Sequence, residues 1–173
     1  KAAQQGNVQA QVNLGWMYQI AVPPNNTEAL KWYLKAAEQG SASAQVKLGW
    51  AHEEDGNMDE ALPWYSKAAE QGNVDAQYNM GRMYEAGSGV IQSNQEAKKW
   101  YQLAAEQGNA DAQSNLGRMY KTTGNYAKAE EWIRLAVEQG NPVAQNNLGV
   151  MYYKGKGVPN SDTEAVKWFS LAA

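Results

Sequence analysis

The chain has 173 residues, of which 43% are hydrophobic and 19% charged, with no cysteine and a formal net charge of −3. This is the composition of an ordinary globular protein, and it excludes disulfides and thiolate metal sites while fitting any compartment. The lack of a basic tract argues against nucleic acid as the main partner. No apolar run approaches the roughly 20 residues that a membrane-spanning helix needs.

The dominant feature along the chain is an internal repeat. A phrase of the form A-A-x-Q-G ends at glycines spaced 34, 32, 36 and 32 residues apart, and a second glycine set and a tryptophan set follow with it. Such a period predicts repeats of about 7–40, 41–72, 73–108, 109–140 and 141–173, within one domain over 1–173. Residues 1–6 then form the tail of a preceding repeat. The three sets are Gly6, Gly40, Gly72, Gly108 and Gly140; Gly15, Gly49, Gly81, Gly117 and Gly149; and Trp32, Trp64, Trp100, Trp132 and Trp168.

Each repeat reads as two helices, here named helix A and helix B. In the third repeat, apolar and small residues recur at helical spacing over residues 74–85 and again over 95–106. The glycine of the A-A-x-Q-G phrase suits the end of helix B. A glycine inside helix A costs about 1 kcal/mol relative to alanine, so its recurrence predicts close helix contact. The residues expected to cap helix A are Asn7, Ser41, Asn73, Asn109 and Asn141.

A helix pair of this length cannot bury its own apolar face, whereas stacked neighbours bury it together. The repeat therefore predicts an all-α solenoid of five helix pairs. We expect the aromatic and alanine positions of helix B, and the constant glutamines Gln11, Gln45, Gln77, Gln113 and Gln145, to be structural. The glutamines are expected to bond a neighbouring turn.

The repeated pattern A-Q-x-x-L-G-x-M-Y, then G-x-G-V, then E-A-x-x-W-Y-x-x-A-A-E-Q-G, resembles the Sel-one-like repeat (SLR), a relative of the tetratricopeptide repeat. The resemblance covers essentially the whole chain. It implies a right-handed superhelix with a concave groove lined largely by helix A. It also implies a role in holding other proteins together, often in bacterial envelope, signalling or host-interaction settings.

Several positions depart from the pattern. The second and fourth repeats have short turns between their helices, and His52 stands where the other repeats have tyrosine. Pro63 falls within helix B of the second repeat, in what we expect to be its first turn, where proline is tolerated. Neither end carries a cap, which favours further repeats or a capping helix in a longer parent chain.

A set of helix A positions varies between repeats and is therefore not held by stacking. The set comprises three positions in each repeat, counted from the helix A glycine: the residue directly after it, the residue three before it and the residue four after it. By the tetratricopeptide resemblance these residues line the groove and are the predicted partner-binding site. They are Val12, Trp16, Gln19, Val46, Trp50, Glu53, Tyr78, Arg82, Glu85, Ser114, Arg118, Lys121, Asn146, Val150 and Tyr153.

Trp16 and Trp50 are the two tryptophans that the helix B pattern leaves over, and tryptophan, tyrosine and arginine most often anchor interfaces. With Arg82, Arg118 and Lys121 they predict a ligand that has an apolar segment followed by an acidic one. Two alternatives stay open. For the tryptophans, the alternative is packing against a neighbouring helix A or against a preceding repeat. For the arginines, it is a solvated face bonded to Glu85 or Asp111.

Catalytic chemistry has little support in the sequence. His52 is the only histidine, and any Ser-His-Asp set must use it. The carboxylates at 53–55 read as a solvated helix end, and the glycine-rich segments 86–90 and 154–158 as turns joining helix A to helix B. We predict no catalytic residue, metal or cofactor. The expected function is the binding of a protein or peptide, without nucleic acid or membrane insertion. The alternatives are a structural spacer that self-associates through its ends and, remotely, an enzyme.

Overall fold

The computed structural model describes all 173 residues and consists of ten α-helices without a strand. The prediction of an all-α fold with five helix pairs along the chain is confirmed. The odd-numbered helices are the A helices and the even-numbered ones the B helices. Their bounds are α1 Val8–Ile20, α2 Asn26–Glu38, α3 Ala42–Glu54, α4 Met58–Glu70, α5 Val74–Ala86, α6 Asn94–Glu106, α7 Ala110–Thr122, α8 Tyr126–Glu138, α9 Pro142–Lys154 and α10 Asp162–Ala172.

The chain divides into two compact units, an N-terminal unit (Lys1–Ser93) and a C-terminal unit (Asn94–Ala173). Within the N-terminal unit each helix from α1 to α5 packs against the next one in the chain. Within the C-terminal unit α6 to α10 do the same, and α7 also contacts α9. The description as one domain with the five repeat boundaries given above stays a prediction.

Local chemistry sets the helix ends as the sequence predicts. The side chain of Asn73 accepts a hydrogen bond from the Ala76 amide at 3.0 Å, and the four other predicted caps do the same at their own helices. The glycine that closes each A-A-x-Q-G phrase has a positive φ, for example +92° at Gly40, which L side chains rarely adopt.

The glycine within helix A allows its partner helix B to approach closely. A Cβ atom added to Gly49 would lie 2.5 Å from the ring of Tyr65, and one added to Gly15 would lie 2.7 Å from the ring of Tyr33. In the C-terminal unit, Gly117 meets Ile133 in the same way. These contacts confirm the predicted reason for the recurring glycine, because no larger residue fits the space.

A chain of glutamine hydrogen bonds joins successive repeats within each unit. The buried Gln45 donates its amide to the Ala37 carbonyl at 3.1 Å and accepts at 2.8 Å from Gln71, which follows the next helix B. Gln11 is bonded in the same way in the N-terminal unit, and Gln113 in the C-terminal unit. Gln45 and Gln113 donate to carbonyls in the last turns of α2 and α6, and Gln11 donates to Ala3 in the turn before α1. These are the expected bonds to neighbouring turns, whereas the Oε1 atom of Gln145 is buried without a partner.

One expectation about the helices was wrong. Pro63 lies beyond the first turn of α4, because that helix begins at Met58. The helix nevertheless continues to Glu70, and Pro63 is exposed.

No helix combines the length and the apolar character that crossing a bilayer requires.

Candidate functional site

The helix A face of the N-terminal unit presents two tryptophans at matching positions of α1 and α3. Trp16 is 52% exposed and Trp50 is 36% exposed, so neither belongs to the core. The Lys47 ammonium lies 4.5 Å from the centre of the Trp50 ring, close enough for a cation–π interaction. Lys47 precedes Trp50 by three residues, which places both on one face of the helix.

A recess of about 160 Å³ adjoins Trp50. It is enclosed by the end of α1, the first half of α2 and the last turns of α3. Gln19 and Lys47 contribute to its wall, and Tyr33 lies at its base. The predicted groove residues Trp50 and Gln19 are thus brought together around one concave feature.

Glu53 is the centre of a hydrogen-bonded group that joins three helices of the N-terminal unit. Its Oε2 accepts from the Tyr65 hydroxyl at 2.6 Å, and its Oε1 accepts from Arg82 Nη2 at 3.1 Å. Arg82 also donates to Asn79 at 3.2 Å. Glu53 is half-buried, so the interpretation of residues 53–55 as a solvated helix end was wrong for this residue.

The same group perturbs its tyrosine. Burial raises the pKa of the Tyr65 phenol well above its usual value, and the hydrogen bond to the Glu53 carboxylate raises it further. The equivalent tyrosine of the first repeat, Tyr33, donates to Gln19 at 3.0 Å, and burial raises its pKa too. Both tyrosines are thus buried, and each donates to a predicted groove residue, Gln19 or Glu53.

The remaining predicted residues of the N-terminal unit differ in accessibility. Val46 is only 3% exposed, so its side chain offers no surface to a partner in this structure. Val12, Tyr78 and Glu85 are half-buried, whereas Arg82 is exposed.

In the C-terminal unit the predicted set includes a cationic side chain that lies near other positive charges. Lys121 is half-buried, and its ammonium donates to Asn147 Oδ1 at 2.7 Å. Burial lowers the pKa of Lys121, and the positive charges of Arg118 and Lys154 lower it further. Ser114 is only 2% exposed and offers no contact surface. Arg118 and Val150 are half-buried, and Asn146 and Tyr153 are exposed.

Three residues of these surfaces were missed from the sequence, namely Lys47, Asn147 and Lys154. Spacing along one helix could have pointed to Lys47. Asn147 is 26 residues from Lys121 in the chain, and no local pattern links the two. The N-terminal unit offers a partner exposed aromatic side chains and a recess, and the C-terminal unit offers charged side chains. No group of three or more His, Asp or Glu side chains is close enough to hold a metal ion.

Comparisons with known proteins fit this geometry. The sequence pattern of the Sel1 repeat matches residues 8–41, 74–109 and 142–173, and tetratricopeptide repeat patterns match residues 25–76 and 109–138. The Sel1 pattern therefore matches the first, third and fifth repeats, in which the turn between helix A and helix B is longer. The tetratricopeptide patterns match over the second and fourth repeats, in which that turn is short. No curated protein sequence is similar enough to count as a match.

Solved structures with the same fold extend the likeness. The chain is 37% identical to a protective antigen present in uropathogenic Escherichia coli strains that displays an SLR fold, with a TM-score of 0.92. That match covers 99% of this chain but only 39% of the antigen. A Sel1 repeat protein from Oxalobacter formigenes is 34% identical, with a TM-score of 0.87, over 97% of this chain and 73% of that one. An immunity protein from Pseudomonas aeruginosa is 23% identical, with a TM-score of 0.63 over 99% of this chain and 69% of that one, and shares the fold.

Proposed function

Because this chain belongs to the Sel1 repeat family, whose fold typically serves protein interaction, we propose that it is a non-catalytic scaffold. The proposed ligand is a protein or peptide segment, bound on the helix A face of the N-terminal unit. Trp16, Trp50 and the recess beside Trp50 form the centre of the site, with Gln19 and Arg82 at its edge.

The observation that carries the proposal is the exposure of Trp16 and Trp50. Partly exposed tryptophans at matching places of two adjacent repeats offer aromatic area of the kind that is enriched in protein interfaces. The helices beneath hold both side chains on a rigid base, so little conformational entropy is lost on binding. An extended apolar segment with an aromatic or aliphatic anchor fits this surface.

For the C-terminal unit by itself we propose a separate ligand, an acidic group. Arg82 of the N-terminal unit already pairs with Glu53, which reduces its capacity to attract such a group. Lys121 lies near positive charges and donates to a neutral amide. A carboxylate beside Lys121 would relieve the repulsion from Arg118 and Lys154.

The test is a selection of displayed random peptides on the purified chain, followed by affinity measurement on variants. Trp16→Ala/Trp50→Ala is expected to weaken the selected peptides at least tenfold, which corresponds to about 1.4 kcal/mol. The matched control is Leu103→Ala/Leu135→Ala, which removes two exposed side chains of helix B and should change affinity less than twofold. Circular dichroism must show both variants folded. Equal affinity for the tryptophan variant and the parent would exclude this face.

A second candidate, a structural segment that associates through its first helix, has one specific observation in its favour. Met17 is 60% exposed and Ile20 is 54% exposed on α1, whereas the equivalent Met83 is only 5% exposed. Sedimentation velocity separates the two functions. Concentration-dependent association that Met17→Lys abolishes, together with a failure to select any peptide, would favour the structural role.

A further inference from the structure

A second cavity in the N-terminal unit lies between α2, α3 and α4 and has a volume of about 360 Å³. Its lining is mainly apolar, with Lys31, His52 and Asp55 as the ionisable members. The volume lies within the roughly 300–1,000 Å³ typical of ligand pockets. The apolar part of the lining comes from Leu30, Leu34, Leu48, Ala51 and Trp64.

The cavity exists because two adjacent side chains of α3 are smaller than in every other repeat. The second repeat has Ala51-His52, where the other four have methionine followed by tyrosine. At this place in the C-terminal unit, Met119 and Met151 are buried. A methyl group and an imidazole leave unfilled the space that a thioether chain and a phenol ring would occupy.

The equivalent place in the fourth repeat shows what this space accepts. The ring of Tyr120 is buried there, and the Lys98 ammonium of α6 lies 3.9 Å from its centre. Leu30 of α2 corresponds to Lys98 by position in helix B, and Lys31 is the next residue. The fold thus surrounds this position with helix B side chains that pack against the face of an aromatic ring.

We propose that the cavity is a binding site for a tyrosine side chain of a partner protein, which takes the place that a tyrosine of the chain itself fills in the other repeats. Leu30, Leu34 and Trp64 supply the apolar contact for the ring. Lys31, whose ammonium pairs with Glu28 at 2.6 Å, contributes the apolar stem of its side chain to the lining. Asp55 accepts from the phenol hydroxyl. This cavity shares Leu30, Ala51 and Asp55 with the recess beside Trp50, whereas His52 and Trp64 line this cavity alone.

The experiment uses p-cresol, which is the tyrosine side chain as a free molecule, and follows the indole N–H signal of Trp64 by NMR. Saturable binding is expected with a dissociation constant on the order of 1 mM, as befits so small a ligand. The variant Ala51→Met/His52→Tyr refills the cavity with the residues of the other repeats. It should bind p-cresol at least tenfold more weakly and unfold at an equal or higher urea concentration, so that lost binding is not lost folding.

Two controls make the outcome decisive. Trp16→Ala alters the other proposed site and should bind p-cresol as the parent does. The saturated analogue 4-methylcyclohexanol has a similar size without an aromatic ring and should bind several-fold more weakly. The proposal is overturned if p-cresol gives no saturable shift, if the refilled variant binds it as well as the parent, or if the saturated analogue binds equally well.

Discussion

At the scale of single residues, the fold depends on side chains that meet between neighbouring helices. Gly49 lets the Tyr65 ring approach α3, and the hydroxyl of that ring then reaches Glu53. Arg82 completes the group from α5. Each member satisfies a polar atom of another, which is why an acidic side chain is tolerated half-buried in this place.

The first prediction concerns this group. Glu53→Ala should lower the free energy of unfolding by about 1–3 kcal/mol, because the buried Tyr65 hydroxyl loses its acceptor. Glu54→Ala is the matched control, since Glu54 is the adjacent residue and is exposed. It should change stability by less than about 0.5 kcal/mol. Urea denaturation followed by circular dichroism measures both, and equal effects would contradict the role assigned to Glu53.

The sequence predicted residues that act locally better than residues that act at a distance. The five capping side chains and the helix A glycine follow from spacing alone, because their partners recur with the repeat. Glu53 was misread because Tyr65 and Arg82 are 12 and 29 residues away in the chain. Whether a carboxylate is solvated depends on such neighbours, and one repeat differs from the next in which neighbours it supplies.

At the scale of helices, the repeats are joined by glutamines as well as by apolar packing. Gln45 connects the end of α2 to the residue after α4, and both of its polar atoms are used. Its side chain is buried, so water cannot replace these bonds. The bond to Ala37 adds a side-chain donor to a carbonyl in the last turn of α2, which also accepts from the Gly40 amide at 3.0 Å.

The second prediction tests this connection. Gln45→Ala should cost about 2 kcal/mol of unfolding free energy, because it removes both hydrogen bonds of a buried side chain and leaves the Ala37 carbonyl with backbone donors alone. Gln71→Ala removes an exposed side chain that donates to the same glutamine, and it should cost less than about 1 kcal/mol. Urea denaturation of the two variants and of the double variant gives the coupling energy between them. A larger loss for Gln71→Ala than for Gln45→Ala would refute this ranking.

Helix type and order were predictable because each helix carries its own start and stop signals. The residues at which the helices begin and end were less predictable. Helix α4 begins at Met58 after Asn57, whose side chain makes no capping bond, and the short turn before it offers no other marker. Pro63 was consequently assigned to the first turn, although it lies deeper in the helix.

At the scale of the whole molecule, stability is distributed unevenly within each unit. In the N-terminal unit α1 has two buried residues and α5 has six. In the C-terminal unit α10 has one buried residue and α7 has seven. Since each helix contacts mainly its neighbours in the chain, local opening should begin where fewest residues are buried.

The third prediction is therefore a gradient of hydrogen exchange within each unit. The amides of α1 should exchange at least tenfold faster than those of α5, and those of α10 faster than those of α7, because opening them exposes less apolar surface. Mass spectrometry of peptic fragments at neutral pH measures this for the 173-residue chain. Uniform protection from α1 to α5 would mean that the N-terminal unit opens only as a whole.

The candidate face was only partly predictable. Variation between repeats identified positions that stacking does not fix, and Trp16, Trp50 and Arg82 are exposed there. Variation did not separate exposed from buried positions, however, since Val46 and Ser114 vary between repeats and are buried. The cavity beside His52 follows from two neighbouring replacements whose combined effect appears only when the surrounding helices are in place.

The glutamine bonds also bear on how such a chain can change over generations. The bonds that cross from one repeat to the next join a recurring glutamine side chain to a backbone carbonyl, while the turns between helices differ in length. An in-frame duplication or loss of one whole repeat would thus recreate the same junction on either side. Gain or loss of whole repeats could lengthen or shorten the array in single steps, and leave point substitutions at positions such as 16, 50 and 52 to diversify what each copy recognises.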